Sequence, residues 1–122
     1  MNGDVIRLQF PARPDYILAV RLAVSAVAER VGFDIEDIED IKVASAEACT
    51  LLLSSGARQI DLQLTVQDGL ELFFAAQGDA AEAALESDSL SQYLLDALVD
   101  TCELINDGGA VKSVRLQKTL LL

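Results

Sequence analysis

Hydrophobic positions change their period along this chain, and the changes mark its elements. In "VIRLQF", residues 5–10, Val5, Arg7 and Gln9 alternate with Ile6, Leu8 and Phe10, which predicts a short strand closed by Pro11. From Tyr16 to Val31 the period becomes helical. Ile17, Val20, Val24, Val27 and Val31 recur at three- and four-residue spacing, with Asp15 as the expected cap after Pro14 and Gly32 as the stop. Arg21 and Glu29 lie off this stripe. A second helix is predicted to start at Asp34. Glu36, Asp37, Glu39 and Asp40 crowd its first turns, where the helix dipole favours negative charge, and they read as a solvated face. Ile38, Ile41, Ala44, Ala48 and Leu52 form its buried stripe, and Gly56 ends it.

Past Gly56 the period returns to two. "QIDLQLTVQ", residues 59–67, sets Ile60, Leu62, Leu64 and Val66 against Asp61, Gln63, Thr65 and Gln67, the pattern of a half-buried strand. Asp68-Gly69 is a hairpin signal, and "LELFFAA", residues 70–76, is the returning strand. The acidic, alanine-rich stretch 77–89 is a loop or one loose helical turn. A third helix is expected from about Leu90 to Thr101, with Leu90, Leu94, Ala97, Leu98 and Thr101 inward and Leu95 and Val99 widening its apolar surface. "CELIND", the turn "DGG" and "VKSVRLQKTL" close the chain as a second hairpin. Hairpin turns within both strand pairs favour an antiparallel sheet over a parallel one. The expected class is α+β, a two-layer sandwich with the helices on one face, as a single domain over residues 1–122.

Composition narrows the function classes. A chain of 122 residues that is 52% hydrophobic and 24% charged, with two prolines, suits a packed domain rather than a disordered one. Such a chain buries roughly two thirds of its unfolded surface. The net charge of −11 repels a phosphate backbone, so no nucleic-acid partner is expected. Cys49 and Cys102 lack CxxC spacing and sit in apolar helical contexts, which reads as two reduced thiols in a cytoplasmic protein. No apolar run reaches the ~18 residues of a membrane span, and "MNGDVIRLQF" is too polar for a signal peptide.

The order of elements and the stretch "FPARPDYILAVRLAVSAVAERVGFDIEDIEDIKVASAEACT" resemble the anti-sigma-factor serine kinases, relatives of the histidine-kinase-type ATPases. In that family an E-A-C-T-N-A box ends the second helix, and Glu47-Ala48-Cys49-Thr50 matches it residue for residue. "ALVDTCEL" resembles the family's passage from helix to strand and "GGAVKSVRLQKTL" its last strand, so nearly the whole chain is covered.

The resemblance implies an ATP site, and each of its three chemistries departs from the pattern. The family's asparagine ligand for magnesium is replaced by Leu51, which offers a hard cation no oxygen, so no metal ligand is expected. The strand-end Asp-x-Gly motif that reads adenine corresponds to Ala76-Gln77-Gly78, which keeps the glycine and loses the carboxylate. The Gly-x-Gly segment opening helix three aligns with Ser89-Leu90-Ser91. Losing the adenine carboxylate forfeits roughly 1.5–3 kcal/mol. Two such penalties of ~2 kcal/mol each weaken binding about a thousandfold. Thr50 and Gly78 then mark a remnant nucleotide site with no cofactor, and Leu51 and Leu52 fill its space.

Glu47 occupies the family's base position. The expectation is a relic at the mouth of a collapsed pocket, held by a hydroxyl such as Thr50 or Ser54, or by Arg58. The resemblance also supplies partners, namely a sigma factor and a STAS-type antagonist, and a homodimer. Arg21 matches the arginine that helix one contributes to docking, or it is an ordinary solvated arginine paired with an acid of helix two. The leading expectation is thus an anti-sigma-like protein acting by protein contact. An active ATP- and magnesium-dependent serine kinase and a non-catalytic scaffolding domain are the alternatives.

Overall fold

A computed structural model describes residues 3–78, 89–107 and 110–120. Its elements in chain order are β1 (Val5–Pro11), α1 (Ile17–Val31), α2 (Ile35–Ser54), β2 (Gln59–Val66), β3 (Gly69–Gln77), α3 (Ser89–Leu98), β4 (Thr101–Asp107) and β5 (Ala110–Thr119). The strands form one antiparallel sheet in the order β1-β2-β3-β5-β4, and the helices pack on it as the second layer of an α+β sandwich. The expected fold class is the observed one.

Alternation decides which side of the sheet the helices cover. Register pairs Leu8 with Leu62, Leu62 with Phe74, Phe74 with Val114 and Val114 with Leu104, one apolar row across all five strands. Ile6, Leu64, Leu72, Leu116 and Cys102 form the next row. Leu64, Leu72, Phe74, Val114 and Leu116 are fully buried, each contributing about 1.5–3 kcal/mol through area removed from water. The β2–β3 hairpin falls where Asp68-Gly69 predicts it. Both residues take left-handed φ, 54° and 141°, and a Cβ on Gly69 would lie 2.2 Å from the carbonyl oxygen of Lys118.

Helix ends follow local chemistry, with one correction. Gly32 closes α1 at φ 112°, and Asp34 caps α2 by accepting from the backbone N–H of Asp37 at 2.8 Å. Asp15, however, caps nothing. Arg13 precedes a 3-10 turn over Pro14–Tyr16 with proline as its first residue, and Asp15 instead pairs with Arg13 at 3.2 Å. Proline needs no N–H partner there, so the turn forms without a side-chain cap. The buried face of α2 is also wider than expected, taking in Ser45, Cys49 and Leu51 beside Ile41, Ala44, Ala48 and Leu52. It lies between α1 and α3 and packs against both.

The orientation of α3 is a second correction. The helix stops at Leu98, Thr101 already belongs to β4, and Leu95 and Val99 face the core with Ser91. Leu90, Leu94 and Ala97, expected inward, are exposed. Its sequence carries two apolar stripes, and the chain beyond the helix selects between them. Asp100 donates its N–H to the carbonyl of Gln117 at 2.9 Å, and its carboxylate accepts from the N–H of Thr119 at 2.6 Å. Lys118, on the core-facing row of β5 beside Leu70, donates to the carbonyl of Leu98 at 2.8 Å and lies 3.6 and 3.7 Å from carboxylate oxygens of Asp37 and Asp40. Part of the acidic run on α2 therefore turns toward Lys118 rather than to water. Most of the acidic stretch 77–89 and the glycines of the "DGG" turn lie outside the described residues.

Candidate functional site

The C-terminal half of α2 sets the geometry. Residues 47, 50 and 51 share one side of the helix, while Ala48, Cys49 and Leu52 are fully buried beneath. Glu47 is half-buried, and its Oε2 accepts from the hydroxyl of Ser91 across 2.8 Å. Ser91 is only 7% exposed, so this bond ties the opening turn of α3 to α2. The hydroxyl expected to hold Glu47 was Thr50 or Ser54, with Arg58 as the charged alternative. Thr50 is exposed and donates back to the carbonyl of Ala46 at 2.9 Å, a local helix bond. Ser91 is the partner that sequence reasoning missed. Its signal was available in the serine of "SLS", at the same helical face as Leu95 one turn on.

Leu51 is 9% exposed and belongs to the core cluster with Leu52 and Leu95. Gly78 ends β3 with φ 108°, and a Cβ there would meet the side chain of Arg58 at 2.9–3.2 Å. Backbone conformation and the packing of Arg58 therefore account for this glycine by themselves. Leu90, at the centre of "SLS", is 68% exposed, whereas Ser91 turns inward. A groove of about 570 Å³ lies elsewhere, between α1 and the β2–β3 turn, lined by Ile6, Val27, Arg30, Val31, Val66 and Leu120 among others. None of the candidate residues lines it.

Arg21 stands on α1 beside α2. Its Nε is buried with no hydrogen-bond partner among the described residues, and the acidic partner expected on helix two is not made. Glu39 lies near enough for the Arg21 charge to act on it. That carboxyl is held below its usual range first by the hydrogen bond from Lys42, at 2.8 Å, and then by the charges of Lys42 and Arg21. Leu18 and Leu22, three residues before and one after Arg21, are 61% and 59% exposed. Both cysteines are free thiols. Burial pushes the Cys49 thiol up to about 12 and also raises that of Cys102.

Comparison with known proteins agrees with this architecture. A sequence profile of the family described as histidine kinase-like ATPase domain matches residues 10–118. The chain is 31% identical to serine-protein kinase RsbW of Bacillus subtilis strain 168 over 126 residues, covering 98% of this chain and 76% of that protein. It is 33% identical to serine-protein kinase RsbW of Bacillus velezensis over 124 residues, covering 97% and 74%. The solved structure of the RsbU and RsbW domains of Rv1364c from Mycobacterium tuberculosis superposes with a TM-score of 0.73 at 15% identity. That match covers 95% of this chain but 32% of the other, and it bears on the fold alone. The chain belongs to the histidine kinase-like ATPase domain family, among the relatives of the RsbW anti-sigma-factor serine kinases. No helix among the described residues is long and apolar enough to cross a membrane.

Proposed function

We propose that this chain is an anti-sigma-type regulator that acts by binding a sigma factor or a STAS-type antagonist and has lost its use of ATP. The observation that carries the reading is Arg21. Arg21 is near Leu18 and Leu22 in sequence, both exposed on α1, and its Nε is buried without a hydrogen-bond partner among the described residues. An unsatisfied buried donor costs roughly 1–3 kcal/mol, and re-orientation of the guanidinium toward a partner's acceptor would recover that energy on docking. Arginine flanked by apolar side chains is also a frequent energetic centre of interfaces.

The side chains at the family's nucleotide positions support the second half of the reading. A magnesium triphosphate requires oxygen donors and close backbone approach. Here those positions hold Leu51 in the core cluster, Ala76 in place of a carboxylate, and Ser91 engaged with Glu47. This set does not fit the group. One observation favours the kinase alternative, since Glu47 keeps its carboxylate and faces a serine hydroxyl. That hydroxyl belongs to the same chain and is 7% exposed, a contact that holds two helices together rather than presenting a substrate.

The test is binding of sigma factors and STAS-domain proteins from the same genome, measured without nucleotide, to the unaltered protein and to Arg21→Ala. The expected result is nucleotide-independent binding to one of them, weakened at least tenfold by the substitution. Binding that appears only with ATP, or binding unaffected by Arg21→Ala, contradicts the reading.

A further inference from the structure

We infer that the outer face of α3 is a second docking surface, shaped for a cationic amphipathic segment of a partner protein. Opposite the buried side formed by Ser91, Leu95 and Val99, the helix presents Leu90, Tyr93 and Leu94 at 68%, 75% and 38% exposure, with exposed Ala97 beyond them. Positions i, i+3, i+4 and i+7 lie on one side of a helix. These residues therefore form a continuous stripe, whereas apolar side chains exposed singly would need no explanation. The stripe is rigidly mounted. Ser91 bonds Glu47 at one end of α3, and Lys118 holds the carbonyl of Leu98 at the other. A surface already ordered loses little entropy on binding.

Charge selects the occupant. Asp96 is exposed at the edge of the stripe, and Asp100 is exposed beyond its end. Between Arg58 and Lys112 the sequence contains no lysine or arginine. A second copy of this chain would bring the same acids against their equivalents, as an isologous contact requires. A ten-residue helix is also only about 15 Å long, a small footprint beside the ~1,200–2,000 Å² of a stable interface. Anionic lipid and nucleic acid would be repelled by the same acids. The complementary partner is a protein segment with apolar side chains at helical spacing and lysine or arginine beside them. The apolar side chains would lie along Leu90, Tyr93 and Leu94, and the cations would face Asp96 and Asp100. This surface lies on the far side of α2 from Arg21 and stands independently of the docking proposed there.

The probe is a fluorescent 16-residue helical peptide with leucines at i, i+3, i+4 and i+7 and flanking lysines. Two control peptides accompany it, one with glutamate for lysine and one of the same composition in an order that breaks the stripe. At 150 mM salt the lysine peptide is expected to saturate the full chain. Tyr93→Ser with Leu94→Ser should weaken it at least tenfold, as should Asp96→Lys, while Glu103→Gln, on the open face of the sheet, changes nothing. Both control peptides should bind at least tenfold more weakly. If the scrambled peptide binds equally, charge alone is responsible and the inference fails. Undiminished binding by either α3 variant overturns it, the charge reversal serving if the serine variant does not fold. So does self-association of the unaltered chain that the α3 substitutions abolish.

Discussion

Ser91 donates its hydroxyl to Glu47 across 2.8 Å, and this single bond joins the first turn of α3 to the last turns of α2. The carboxylate is half-buried, so its hydrogen bond is worth about 1–2 kcal/mol once the desolvation of an unpaired acceptor is counted. Ser91→Ala is expected to lower the melting temperature by about 4–8 °C. In a double-mutant cycle with Glu47→Ala the two effects should be non-additive by about 1 kcal/mol. Thermal unfolding of the four proteins measures this, and strict additivity would show that the contact carries no energy.

Lys118 is the larger anchor. Its side chain is 11% exposed, and its ammonium serves the carbonyl of Leu98 and the carboxylates of Asp37 and Asp40. Lys118→Met is expected to cost about 2 kcal/mol, below the ~3–5 of a fully buried pair because both carboxylates are about a third exposed. Urea unfolding should show a lower midpoint at an unchanged slope. Lys42→Met, which removes the pair with the exposed Glu39 and keeps most of the partly buried stem, should shift the midpoint less than Lys118→Met does.

Gly78 separates two reasons for a glycine in the aligned motif. If φ 108° and the packing of Arg58 require it, Gly78→Ala destabilises the chain by about 1 kcal/mol with no nucleotide present. Chemical denaturation checks this, and an unchanged midpoint would return the glycine to a ligand-binding role.

Cys49 predicts an alkaline weakness. The buried thiol ionises near 12 rather than near 9, so the unfolded chain loses its proton first. The stability linked to this group is intact below pH 9 and falls as pH rises from about 9 to about 12. One group contributes at most about 1.4 kcal/mol per pH unit. Stability measured against pH in the unaltered protein and in Cys49→Ala should diverge only in that window, and parallel curves would refute it.

Much of this fold was legible because its strands alternate strictly and its turns use residues with a mechanical reason. Asp68-Gly69 supplies the left-handed backbone of the β2–β3 hairpin, and Gly32 stops α1. The face of α3 was not legible, since Leu90, Leu94 and Ala97 make as plausible a core stripe as Leu95 and Val99. The docking of Asp100 onto β5, a long-range contact, decides between them. The partner of Glu47 was missed for the same reason, because Ser91 is 44 residues away in the chain. Lys118 was closer to readable. It falls two residues after Leu116 in an alternating strand, which places a cation on the core face and demands acceptors for it.

On the proposed function, this scaffold regulates by contact and no longer holds nucleotide. Calorimetric titration of ATP with magnesium into the full chain tests it most directly. No saturable heat is expected at millimolar nucleotide, for the unaltered protein and for Ser91→Ala alike. A magnesium-dependent isotherm with a micromolar dissociation constant would contradict it.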